Sequence, residues 1–328
     1  MTQDGWRVQL RKGLLLLALV WLHLPAGAVV SLTLGHQFPV GSIPDRAAQR
    51  FVALVAEKTK GEVQIALHPA GTFGDEREHL VLLRKQALDF AVTGDLVISS
   101  LGDRFLVVNL PFLYRDTAHA LASYDGPLGD EIRQELKKRG LLALSWHHVG
   151  TRMLTANKPV RTLADLAGLS LRLPQDAAWV AAWRVLGAVP RQIPFTDLAL
   201  ALKHGRVEAQ ENPPGFIRAS KLHEHQKYLM TTQHMPQRQF ILAAERTMSK
   251  LAPELRKRVQ EAAKEASRWA VVAANEEHIR DLGWLVTEGG MTLVTFNLTG
   301  VQEALRPVPQ ALADEAGVAV YNQILAIR

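Results

Sequence analysis

At 328 residues with 48% apolar side chains, the chain is long enough for two cores rather than one. It has no cysteine, which excludes a disulfide framework and a thiol nucleophile. Its formal charge of +6 is spread along the chain without a basic stripe interleaved with aromatics, so composition points away from nucleic acid and toward steering of small anions.

The first residues read as an export signal. Arg7, Arg11 and Lys12 form a basic start, Gly13 to Leu22 is an uncharged apolar run, and Ala26-Gly27-Ala28 after Pro25 is a small-residue cleavage site. The run is short for a bilayer span, although an uncleaved anchor is the alternative. Residues 1–28 are therefore expected to be a cleaved signal peptide, and the mature chain is expected to be periplasmic.

Strands and helices then alternate. Leu32-Thr33-Leu34 predicts a strand that enters a loop. Pro44 suits a first helical turn, with Phe51, Leu54 and Val55 at helical spacing and Gly61 as the stop. Val63, Ile65 and Leu67 alternate as a strand does. Asp75 predicts an N-cap for a helix running to about Leu88, and Phe90 to Val92 predicts another strand. Leu128, Ile132 and Leu136 share a helix face that ends at Gly140, and Leu141 to Trp146 predicts a buried strand. Thr162 and Asp165 form a capping box. Leu169 to Leu173 predicts a strand, Trp179, Trp183 and Leu186 a helix face, and Thr196 the cap of a further helix that ends at Gly205. From Pro253 to Leu282 there is no glycine and no further proline, which predicts one long helix or two with an unmarked break. Met291 to Phe296 predicts a strand, and Leu312 to Ile327 a closing helix. Alternating strand–helix units predict an α/β chain with mainly parallel sheets covered by helices.

Three polar residues stand out against this pattern. Arg152 and Arg172 each fall beside a strand-like run, and Asn212 ends a third in the triplet Gln210-Glu211-Asn212. A guanidinium keeps its charge, and its planar fork matches a carboxylate with two parallel hydrogen bonds. In open α/β sheets ligands bind beyond the carboxyl ends of strands, where Arg172, followed by Pro174, would lie. The alternative for Arg172 is a surface ion pair, and for Asn212 a turn residue serving its own backbone before proline. A metal site finds no support: His147 and His148 point opposite ways along a strand, and no HExxH occurs. Neither a G-x-S-x-G elbow nor a phosphate loop is present, since Gly71 to Glu76 lacks the Lys-Ser/Thr ending.

Several motifs in fixed order resemble the solute receptors of tripartite ATP-independent periplasmic (TRAP) transporters, the C4-dicarboxylate-binding protein family. They are G-x-R at Gly150 to Arg152, L-x-x-L-x-G-L-x-L-R at Leu163 to Arg172, P-F-[ST] at Pro194 to Thr196, and Q-E-N-P at Gln210 to Pro213. Weaker resemblance, including Asn109 to Tyr114, runs from about Leu32 to the C-terminus. The resemblance implies a two-domain fold like that of type II periplasmic binding proteins, with one long helix lying across both domains. The domains would be 29–149 with 238–280, and 150–237 with 281–328.

It implies that Arg172 is the main carboxylate partner, that Arg152 is a further anion contact and that Asn212 lies in the pocket. Phe195 is the candidate apolar wall, and Trp179 either reaches the pocket or packs within its helix. In the first domain the resemblance turns the loops carrying His36 and Glu76 toward the cleft. A proline and a glycine after Pro213, where many relatives have a single proline, predict a different local path there. The implied function is capture of a small organic acid and its delivery to the integral membrane subunits of a TRAP transporter by a monomer that needs no cofactor. A receptor feeding a sensor and an extracytoplasmic enzyme on a similar fold are the alternatives. They are separated by whether bound ligand stays unchanged or is turned over.

Overall fold

The structure, a computed structural model, describes residues 29–327. The expected signal peptide therefore lies outside the described residues. Among the described residues no helix is long and apolar enough to cross a membrane.

The chain begins β1 (Val30–Gly35), α1 (Ile43–Lys58), β2 (Val63–His68), α2 (Glu76–Arg84), β3 (Phe90–Thr93), α3 (Leu96–Ser99), α4 (Asp103–Leu106), α5 (Thr117–Asp125) and α6 (Pro127–Lys138). It continues with β4 (Leu141–Ala156), β5 (Ser170–Leu173), α7 (Ala177–Val185), β6 (Val189–Gln192), α8 (Leu198–Lys203), β7 (Ala209–Asn212), α9 (Pro214–Ala219) and β8 (Tyr228–Ala244). It ends with α10 (Glu245–Lys250), α11 (Pro253–Thr287), β9 (Thr292–Val294), α12 (Val301–Leu305), α13 (Val308–Leu312) and α14 (Glu315–Leu325).

Some local signals act where they were expected and others do not. Asp75 accepts from the backbone of Arg77 and Glu78 while Glu78 reaches back to it, a complete capping box. That helix stops at Arg84, short of Leu88, because Gln86 takes φ of 60° and leaves the helical region. Thr196 caps nothing: a short 3-10 turn at Phe195–Asp197 leads into α8, whose N-cap position is Asp197. The long helix is a single 35-residue element, about 50 Å long at 1.5 Å per residue. Its buried face is mostly alanine, including Ala262, Ala266, Ala270 and Ala273, which lets α1 and β4 approach its axis closely.

Five of the eight strand pairings are parallel, as expected, and three antiparallel ones make the sheet mixed. One mixed sheet runs in the order β2-β1-β3-β8-β4-β7-β5-β6, with β9 beside β8. Two long antiparallel strands make it continuous. The C-terminal half of β8 pairs with β3, and the C-terminal half of β4 pairs with β7. β4 does not end at Trp146 but runs on to Ala156, 16 residues in all, and β8, which the sequence pattern did not reveal, has 17. Polar residues such as Gln233, His234, Gln237 and Arg238 break the alternation of β8 where it crosses between the halves.

The β4–β8 register slips between His148 and Thr151 and again between Arg152 and Leu154. Gly150 sits at this bulge with φ of 122°, and a Cβ there would meet Pro213 at 3.1 Å and His278 at 3.3 Å. The first half carries β1, β2 and β3 with α1 and α11 over one face. In the second half lie β5, β6, β7 and β9. The largest apolar core runs through both halves, from Leu83 and Phe105 to Trp183 and Val301. α14 folds back onto α4 of the first half.

Candidate carboxylate-binding cleft

The strand ends of the two halves face each other across a cleft of about 560 Å³ including its mouth. Six of the seven residues singled out from sequence line it: Arg172, Arg152, Asn212, Phe195, Glu76 and Trp179.

Arg172 leaves the end of β5 and is almost fully buried. Its Nε donates to the Ile193 carbonyl at 2.8 Å. Among the described residues its two terminal nitrogens have no hydrogen-bond partner, and the guanidinium lies 6.0 Å from the Phe195 ring. Burial pushes it down to about 9, with Arg152 pressing the same way and Glu211 opposing. A buried cation without its own carboxylate is costly to hold, so this fork is prepared for an anion.

Arg152 is in a different state. It projects from within β4 at the crossing, not from a loop past it, because the bulge at Gly150 keeps the strand going. Its Nε and one terminal nitrogen grip the Glu211 carboxylate at 2.5 and 2.8 Å. That second nitrogen also donates to the Glu211 carbonyl and, at 3.1 Å, to Asn212 Oδ1, while the other donates to Gln237 Oε1. Trp179 lies against its face at 4.5 Å. Glu211 also accepts from His234 Nε2 at 2.8 Å. Burial works to raise the Glu211 carboxyl, but Arg152 and His234 outweigh it and hold it down to about 2. Asn212 ends β7 with its amide oxygen on Arg152 and its nitrogen on Gln210 Oε1 at 2.6 Å. The stiff Pro213-Pro214 pair that follows opens α9, with Pro214 in the first turn.

The first half supplies the facing wall. Glu76, at the start of α2, accepts the Gly94 backbone N–H. Burial raises its carboxyl from the ordinary 4.5 to about 8, aided by Asp95 and Asp75, while the Gly94 bond and Arg152 oppose. A group whose folded value lies above its unfolded value holds the proton more tightly when folded, so stability falls as pH rises from about 4.5 to about 8. Glu76→Gln is expected to flatten that part of the melting-temperature profile. An unchanged slope would place the titration elsewhere.

His36 stands apart from the cleft. Its Nε2 meets Asp45 Oδ1 at 3.1 Å and its Nδ1 accepts the Phe38 N–H at 3.2 Å, so the ring braces the loop after β1. Gln37 and Phe38 take its place in the wall. Sequence reasoning also missed Gln237 and Gln239 on β8, and Glu211 as the partner of Arg152. The triplet Gln210-Glu211-Asn212 held the last of these, but only the antiparallel pairing of Leu154 with Glu211 brings it beside Arg152.

The bacterial extracellular solute-binding protein, family 7, model (DctP) matches residues 34–315. The chain is 31% identical over 271 residues to the 2,3-diketo-L-gulonate-binding periplasmic protein YiaO of Escherichia coli K12, covering 82% of each chain. A TRAP periplasmic solute binding protein from Roseobacter denitrificans OCh 114 with bound L-galactonate superposes with a TM-score of 0.86 at 25% identity, over 91% of this chain and 99% of that one. One from Polaromonas sp. JS666 bound to D-erythronate gives 0.83 at 27% identity, over 91% and 99%. By sequence and by fold, the chain belongs to the family 7 bacterial extracellular solute-binding proteins, the solute receptors of TRAP transporters.

Proposed function

We propose that this protein is a periplasmic receptor that closes on a small organic acid and presents it to the membrane subunits of a TRAP transporter, acting as a monomer without catalytic chemistry. The observation that carries this reading is the buried Arg172 fork at the cleft, whose terminal nitrogens have no hydrogen-bond partner among the described residues. The ligand carboxylate takes that fork, Asn212 and Phe195 flank it, and Arg152 acts mainly by holding Glu211, Asn212 and Gln237 in place. The domains are 29–149 with 238–280, and 150–237 with 281–328. Support for these limits comes from the register slips near residues 148–152 of β4, although α14 reaches back onto the first half. Export with loss of residues 1–28 completes the reading.

Closure is supported by contacts that join the two walls. Arg77 donates to the Gln175 carbonyl at 2.6 Å across the mouth. Asp176, the N-cap of α7, accepts from Ser99 and from Asn109 Nδ2 at 3.0 Å. Such bonds form only when the halves meet, and excluding water strengthens every charge contact inside. Mass spectrometry of protein purified under mild conditions is expected to show a carried acid released unchanged. Small-angle scattering is expected to show a smaller radius of gyration with that acid than without it. A radius that stays constant under saturating ligand counts against closure, and turnover of the acid counts against a receptor.

A further inference from the structure

Resting on the receptor reading of this cleft, we infer that it selects a hydroxylated monocarboxylate over a dicarboxylate, with Gln239 and Trp179 reading the hydroxyl end.

The charge balance comes first. Arg152 is held by Glu211, and Arg238, behind the first-half wall, by Asp95 at 2.6 Å. Arg77 lies at the rim with its terminal nitrogen on a carbonyl, in the same turn as Asp75. Arg172 is therefore the one buried guanidinium in the cleft, among the described residues, without a carboxylate of its own. One ligand carboxylate satisfies it. A second would lie against the first-half wall, where Asp95 already holds Arg238 and the lining cation, Arg77, stands at the exposed rim with a terminal nitrogen on the Gln175 carbonyl. A buried anion without a counter-ion is strongly disfavoured.

The unmet hydrogen bonds come second. Gln239 is fully buried, lines the cleft, and has neither its amide nitrogen nor its amide oxygen paired. Trp179 Nε1 is likewise buried and unpaired. The neighbouring Gln237 has no such freedom, because its oxygen accepts from Arg152 and its nitrogen donates to Asp95 at 2.8 Å. Gly94 makes room for the cluster. A Cβ there would lie 2.7 Å from Glu76 Oε1, 3.2 Å from Gln237 Nε2 and 3.5 Å from Gln239 Nε2.

An amide that needs both a donor and an acceptor is matched by a hydroxyl, which is both. A carboxylate satisfies only the amide nitrogen and repels the oxygen. Glu76, with its carboxyl raised to about 8, adds a neutral acid beside this spot that also donates and accepts.

Calorimetric titration at neutral pH tests this with D-erythronate, D-gluconate and 2,3-diketo-L-gulonate as hydroxylated monocarboxylates, hexanoate as the bare one, and succinate as the dicarboxylate. The best hydroxylated acid is expected to bind about 100-fold more tightly than succinate. Gln239→Leu is expected to weaken that acid by about 10- to 100-fold and to leave hexanoate within a factor of about three. A melting curve confirms that the variant folds, and Gln239→Asn serves if it does not, with the same signature. Succinate binding as tightly as the hydroxylated acids, or equal losses for both classes in the variant, overturns the inference while leaving the receptor reading intact. Silence from every acid overturns the receptor reading and this inference together.

Discussion

Arg172→Ala is expected to weaken binding of the transported acid by about 30-fold to several thousand-fold. Removing one member of a buried, hydrogen-bonded charge pair typically costs about 2–5 kcal/mol. Arg172→Lys should also be damaging, because a point charge cannot replace a planar fork that approaches the ligand with two nitrogens. The fold should survive both changes. Arg172 gives one hydrogen bond to the Ile193 carbonyl and, among the described residues, has no ion pair of its own. Losing an uncompensated buried cation removes a cost, so the melting temperature of the empty alanine variant should be unchanged or higher. Titration calorimetry together with a melting curve checks both halves of the statement. Near-normal affinity in Arg172→Ala would move the carboxylate site elsewhere and take the assignments of Arg152 and Asn212 with it.

Glu211→Ala should fail in the opposite way. Glu211 is buried and holds Arg152 through both carboxylate oxygens while accepting from His234. Its loss leaves Arg152 as a second unpaired cation beside Arg172, at an expected cost of about 3–5 kcal/mol in stability. Because the folded carboxyl is held down to about 2, its contribution is present above the ordinary value of 4.5 and is lost as pH falls toward 2. The variant should therefore show a lower melting temperature at neutral pH and a smaller further loss on acidification than the parent. Glu211→Gln, which keeps the shape and an acceptor but not the charge, should fall between the two. A Glu211→Ala protein as stable as the parent would mean that Arg152 finds another anion or water and that the pair does not organise the cleft.

These opposed outcomes also separate what each arginine does. Both looked alike as residues beside apolar runs. Arg172 is held loosely by the protein and left for the ligand, whereas Arg152 is engaged on every nitrogen and works by fixing its neighbours.

Most of the architecture was legible because its signals are local. A capping aspartate at Asp75, a glycine stop at Gly61 and strict alternation from Val63 to Leu67 act within a few residues, and they gave α1, β2 and the start of α2. The absence of breakers between Pro253 and Leu282 left one long helix or two, the family resemblance implied one, and α11 is continuous. What failed was the long crossing. β8 carries Gln233, His234, Gln237, Arg238 and Gln239 within a strand, and polar residues in such a run look like a loop unless something else buries them. Several of them pair with residues distant along the chain, His234 with Glu211, Gln237 with Arg152 and Arg238 with Asp95, which no short window of sequence contains. His36 failed for a related reason: a histidine after a strand faces either a cleft or a loop brace, and Asp45, nine residues on, decides for the brace.

The sequence by itself determined the α/β class, the export signature, the family motifs and the polar residue types at the strand ends. Composition, periodicity and motif order depend on neighbours along the chain. Only the tertiary structure decided which charges are compensated, because pairing in space joins Arg152 on β4 to Glu211 on β7 and Arg238 on β8 to Asp95 after β3. With those pairs closed, the terminal nitrogens of Arg172 and the amide of Gln239 are left without partners among the described residues, and unmet charge and hydrogen bonding in a buried space are what a ligand supplies.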